Sequence, residues 1–177
     1  MLTRRIQRGF TLVEAGIVLA VSAIAVSTAA PGFGQFIEQQ RLKNVAAQLA
    51  ADIRFARAES VLRNTALRLT RQNASWGSCY VIHTGSAGQC SCHASGLAQC
   101  SGGARALKTV LLPAAQRISL QSHAASILFD PLHGTTTPAN TFKVVAASGR
   151  AVHHVVNIMG RVHSCSLNGS VPGYAVC

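Results

Sequence analysis

Carboxylates are what this sequence has least of: five Asp and Glu stand against 16 Lys and Arg in 177 residues, giving a formal charge of +11 and a pI near 10.5. They are Glu14, Glu38, Asp52, Glu59 and Asp130, so one carboxylate lies beyond residue 59. No pair remains in the C-terminal two thirds to share general acid and base work. Aromatic residues make up 5%, and beyond residue 63 they are Trp76, Tyr80, Phe129, Phe142 and Tyr174, too few for a platform that stacks single-stranded bases. Charged residues total 12%, about half the usual share, while apolar residues reach an ordinary 49%, which excludes a disordered chain. There is no internal repeat, and the length suits one globular domain plus an N-terminal element.

What the sequence does have begins at the N-terminus. From Phe10 to Ile37 the only charge is Glu14, and a helix of that length spans about 42 Å, enough to cross a bilayer. Arg4, Arg5 and Arg8 precede it, the positive-inside arrangement that keeps this end in the cytoplasm and sends the rest outside. A secretory signal cleaved near Ser27-Thr28-Ala29-Ala30, releasing a disulfide-rich binding domain, is the rival reading. Glu14 weighs against it, because a carboxylate inside an apolar helix costs roughly 2.5 to 3.5 kcal/mol and so calls for a partner.

The run Arg8-Gly9-Phe10-Thr11-Leu12-Val13-Glu14 resembles the type III signal of type IV prepilins and type II secretion pseudopilins. The resemblance implies that prepilin peptidase cuts after Gly9, methylates the new N-terminal Phe10, and leaves Glu14 at the fifth mature position. There Glu14 can pair in lipid with the N-terminal amine of a neighbouring subunit, so assembly supplies the missing counter-ion. Pro31 falls where many pilins carry a proline, and with Gly32 and Gly34 it can loosen the helix in a filament. The implied organisation is a leader over 1–9, a transmembrane half-helix over 10–35 and a head over 36–177, whose first part, about 36–63, is the amphipathic half of the helix.

The amphipathic part is legible by period: Leu42, Val45, Ala46, Leu49, Ile53 and Ala56 make one stripe, with Arg41, Gln48, Arg54 and Arg63 off it and Glu59 one turn from Arg63. Short extended runs follow at Leu67–Thr70, Cys79–His83, Ala106–Leu112, Arg117–Gln121, Ile127–Phe129, Thr141–Ala147 and Val152–Met159. Together they predict an α+β, pilin-like fold with antiparallel sheet packed on the helix. The stretch Thr84–Ala104, rich in Gly, Ser and Cys, reads as a long loop pinned by disulfides. The segments Ile127–Val145 and Val155–Val162 resemble the C-terminal part of the GspH/FimT domain of minor pilins and pseudopilins.

All six cysteines follow the anchor, in a compartment that oxidises them. Cys165 and Cys177 stand apart from Cys79, Cys90, Cys92 and Cys100 and are expected to pair, as a C-terminal disulfide does in many pilins; connectivity among the other four is open. Zinc on Cys90-Ser91-Cys92-His93 with Cys100 is the alternative, at a spacing unlike known fingers. Most of the seven histidines are expected to be surface or partly buried residues, and adjacent His153 and His154 should face opposite ways on a strand. No nucleophile elbow or orienting acid accompanies any Cys and His pair, so neither an enzyme nor a cofactor is implied.

Removing residues 1–9 takes away three arginines, yet the basic side chains still exceed the acidic ones by eight. Such a surplus suits phosphate contacts. Some FimT-like minor pilins bind DNA through a C-terminal Gly-Arg-x-Arg motif, which here reads Gly160-Arg161-Val162-His163, with His163 in place of the second Arg. The resemblance therefore implies pilin subunits, prepilin peptidase and the inner membrane as partners. Double-stranded DNA joins them through Arg161, His163, Arg150 and Lys143, with the head in the periplasm. Two alternatives stay open: a GspH-type secretion pseudopilin with no DNA role, or Gly160 as a mere hairpin turn beside a solvated Arg161.

Overall fold

A continuous helix, α1, runs over Leu12–Leu62 and passes position 31 without a break. It starts where Thr11 Oγ1 accepts the Glu14 N–H at 3.2 Å, an N-cap, and stops at Asn64, whose φ of +46° reverses the backbone. The computed structural model describes residues 11–177, without the side chains of 28–32. The described residues divide into two compact units between Ile37 and Glu38. In the first unit the described side chains of α1, Leu12, Val13, Ile17, Val18, Leu19 and Val21 among them, are exposed. Among the described residues no helix is long and apolar enough to cross a membrane; the apolar run continues through 28–32.

In the second unit the stripe Leu42, Ala46, Leu49, Ile53 and Ala56 is wholly buried, while Val45, expected with it, sits half-buried at its edge. Glu59 takes a hydrogen bond from Arg63 at 2.5 Å. Strands β1 Leu67–Ala74, β2 Gly77–Thr84, β3 Cys90–Cys92, β4 Ala98–Cys100, β5 Ala106–Pro113 and β6 Ile118–Ser122 follow, then β7 Ser126–Phe129 and β8 Thr136–Thr137. The chain closes with β9 Asn140–Ala146, β10 Ala151–Val156, β11 Val162–Ser166 and β12 Ala175–Val176. One sheet has the order β5-β2-β1-β7-β8, a second β12-β11-β10-β9-β6, and β3-β4 form a separate hairpin. All pairings are antiparallel except β11 with β12. The inward side chains of both sheets, Leu69, Tyr80, Ile82, Leu120, Phe129, Phe142 and Val152 among them, join the helix stripe in one core.

Alternation explains why β2 is buried along nearly its whole length. Tyr80 and Ile82 enter the core, while Cys79 and Val81 on the opposite face lie under the β3–β4 hairpin with Trp76 and Leu111. Cys79–Cys92 ties that hairpin to β2 and Cys90–Cys100 joins its two strands, so the stretch expected to be loop contains two strands. Its composition reads as loop because covalent bonds replace the apolar residues that would otherwise hold a flap on a sheet. Cys165 is bonded to Cys177. No free thiol remains, so none of the sulfurs considered for zinc is a thiolate ligand.

The run expected as one strand over Val152–Met159 also differs. It ends at Val156, turns over 157–160 and returns as β11, because Gly160 has φ +71° and the Arg161 N–H is held by Asn157 Oδ1 at 2.9 Å. A Cβ on Gly160 would lie 2.7 Å from Arg57 Cδ and from the Gly134 carbonyl, so glycine permits both the turn and the close approach of the helix.

Candidate functional site

At the helix start, Thr11, Leu12, Val13 and Glu14 follow the capping pattern in which a threonine hydroxyl takes a backbone N–H three residues on. The Glu14 carboxylate is exposed and has no ion-pair partner among the described residues. A negative charge in the first turn favours the helix, and the same charge is available to another molecule. Gly9 and Phe10 lie outside the described residues.

In the head the structure scatters the four basic residues singled out by sequence. Lys143 on β9 stands opposite His153 on the outward face of the second sheet, and His163 on β11 stands opposite Val155 on that face. Arg150, at the β9–β10 turn, donates to Gln39 Oε1 at 3.4 Å, whereas Arg161 is exposed at the β10–β11 turn. These turns are at opposite ends of β10, about 20 Å apart. Arg161 is grouped instead with Arg54 and Arg57 of α1, which the helical period placed on a solvated face or left unmarked.

The groove they line holds about 970 Å³ between the last turns of α1, residues 132–134 and residues 160–162. Its walls are held in place: Arg57 Nε donates to the Gly134 carbonyl at 2.8 Å, and Thr136 donates its hydroxyl to Asn157 O at 2.6 Å and its N–H to Ile158 O at 2.8 Å. Asp130 shapes the 132–134 turn by accepting the Leu132 and His133 N–H groups. These bonds, that from His133 first, hold its carboxyl below the ordinary range.

Two of the seven histidines are core residues. His83 is fully buried; its Nδ1 donates to the Thr84 carbonyl at 2.8 Å, leaving Nε2 to accept the Thr70 hydroxyl at 2.8 Å. His154 is also fully buried, with Nδ1 2.8 Å from Ser164 Oγ and no hydrogen-bond partner for Nε2 among the described residues. Burial lowers its pKa to about 4; the facing Ala46 carbonyl opposes the shift, and the charges of Arg54 and His153 add to it. Burial likewise lowers His83, and lowers His153 with help from Lys143. His153 and His154 thus face opposite sides of β10, His154 turning into the core.

The most committed polar group is Asp52, 4% exposed on the helix stripe. Tyr80 donates its hydroxyl to Oδ2 at 2.8 Å and Lys108 donates to Oδ1 at 2.6 Å, tying α1 to β2 and β5. Burial above all, then the Asp52 charge and its hydrogen bond, push the Tyr80 phenol well above its ordinary pKa.

The family described as type II transport protein GspH matches residues 45–160. The chain belongs to the GspH family. A comparison with curated proteins gives no match. Among solved structures, the type IV minor pilin FimU of Pseudomonas aeruginosa (strain PAO1) is similar with a TM-score of 0.51 and 20% identity, over 72% of this chain and 90% of that one. A second crystal form of FimU gives a TM-score of 0.48 and 17% identity, over 75% and 98%. The first likeness shows the pilin fold: a long helix packed on antiparallel sheets, as in minor pilins and pseudopilins. The GspH family supplies structural filament subunits, and the expected minor pilin or pseudopilin type is the one found. The family match begins inside α1 and ends at Gly160, so Glu14, Arg161 and His163 fall outside it.

Proposed function

We propose that the chain is a minor subunit of a type IV pilus or type II secretion filament, anchored in the bacterial inner membrane with its head in the periplasm. Prepilin peptidase cuts after Gly9 and methylates Phe10, and Glu14 then meets the N-terminal amine of a neighbouring subunit. One observation carries this reading: the described apolar side chains in the N-terminal half of α1 are exposed, and the carboxylate at its start has no ion-pair partner among the described residues. Apolar surface of that extent in one helix calls for lipid or other helices to cover it. Glu14→Ala is expected to leave a head of unchanged melting temperature, while cross-linking of the chain to neighbouring filament subunits falls at least about tenfold. Normal incorporation of the variant would remove Glu14 from assembly.

Double-stranded DNA is a second reading, favoured by the outward face of the second sheet. There Lys143, His153 and His163 stand on adjacent strands, and no carboxylate is among the residues of β6, β9, β10 or β11. Contact would be to phosphates, so duplexes of unrelated sequence should bind alike, and more weakly as salt rises. Lys143→Ala should weaken every duplex alike, and Lys143→Glu should weaken them further. Binding that ignores salt, or survives both changes, removes the DNA role and leaves the secretion pseudopilin.

A further inference from the structure

The groove at the C-terminal end of α1 combines features that neither the anchor nor a phosphate contact uses. Arg54 and Arg161 are exposed on it, and neither guanidinium has a hydrogen-bond partner among the described residues. Arg57 is held by the Gly134 carbonyl and fixes the wall between them. Large apolar side chains are bared on its lining and on the adjoining turn: Leu62 is 81% exposed, Leu132 75%, Ile158 64% and Met159 51%. No Asp or Glu lines it.

We infer that this groove docks an acidic segment of a different filament subunit, one that places carboxylates on Arg54 and Arg161 and apolar side chains on Leu132 and Val61. The identity of the partner as a filament subunit rests on the reading above; the chemistry rests on the groove. Arginine pairs carboxylates through its planar fork, and apolar surface ringed by such polar groups is the usual make-up of a protein interface. A duplex backbone offers phosphates to the arginines but no apolar surface for Leu62, Leu132, Ile158 and Met159, so nucleic acid uses half the site.

A second copy of this chain does not fit either. Asp52 is buried under Tyr80 and Lys108, Glu59 is tied to Arg63, and Asp130 is turned into its own loop. That leaves half-buried Glu38 and the second oxygen of Asp130 as the side-chain carboxylates a second head could offer. Two heads, each strongly basic, repel rather than complement one another. The groove therefore selects an acidic partner and disfavours stacking of this chain on itself.

The test uses the full chain in detergent micelles and a short synthetic peptide alternating Glu and Leu, with its Gln-for-Glu counterpart as control. The acidic peptide should bind at low salt and the Gln peptide at least about tenfold more weakly, with Arg54→Ala and Arg161→Ala each weakening the acidic peptide about fivefold. Leu132→Ser should weaken it similarly with an unchanged melting temperature, since Leu132 is exposed, and should leave duplex affinity as it was. Equal binding of the two peptides, displacement of the acidic peptide by a duplex, or a concentration-dependent dimer lost with Leu132→Ser would each overturn the proposal. A chain that enters filaments normally yet ignores the peptide overturns the docking site alone. One that binds the peptide but enters no filament overturns the filament reading alone.

Discussion

Replacing Asp52 by alanine is expected to destabilise the head by about 3 kcal/mol, measured as a shift of the urea midpoint at pH 7. The variant strips the Tyr80 hydroxyl, itself in a residue 1% exposed, of its acceptor and leaves Lys108 without a counter-charge. Lys108 keeps contact with solvent, its side chain being 39% exposed, which holds the loss at the lower end for a broken buried pair. Tyr80→Phe removes one hydrogen bond but keeps the ion pair, so it should cost about 1 kcal/mol. A loss for Asp52→Ala no larger than that for Tyr80→Phe would mean that the carboxylate does not lock the helix to the sheet.

The second large effect is on acid stability. His154 has an ordinary pKa of 6.5 when the chain is unfolded and about 4 in the fold, so below pH 6.5 the unfolded chain binds the proton more readily. Its contribution is complete above pH 6.5 and is lost as pH falls toward 4, by about 3 kcal/mol over the whole window. His83, lowered by burial too, acts in the same direction. Urea midpoints taken between pH 7 and pH 4 should therefore fall, and His154→Leu should flatten that fall while leaving the His83 share. A variant with the same pH slope as the parent would show that His154 is not the group responsible.

Both groups illustrate what a single sequence discloses. Asp52 stands three residues after Leu49 and four before Ala56, so its place on the buried stripe follows from helical period. Its partners do not, because Tyr80 and Lys108 come from strands whose register only the folded sheet fixes. Alternation likewise requires His153 and His154 to face opposite ways, yet which one turns inward depends on the phase of β10 against β9. Phe142 opposite His154 and Lys143 opposite His153 set that phase. The helix stripe and most strands were legible because apolar residues there carry the period themselves. The β3–β4 hairpin was not, since disulfides hold it, and β11 was hidden by the polar run His163, Ser164 and Ser166.

The groove had no sequence signal at all. Arg54, Leu132 and Arg161 are far apart in the chain and meet only because Gly134 and Gly160 let two turns close on the end of α1. Charge arithmetic found the surplus of arginine but spread it over Lys143, Arg150, Arg161 and His163 as if they were neighbours. The fold sends Arg150 to the other end of β10 and puts Arg161 beside the helix.

Everything proposed for the filament depends on how the N-terminus is processed, and mass spectrometry of the N-terminal peptide from the chain purified from membranes reads that directly. Cleavage after Gly9 with an N-methylated Phe10 is the expected result; a mature chain that starts near Ala30 or Pro31 would contradict it, marking a secreted domain with no anchor and no Glu14.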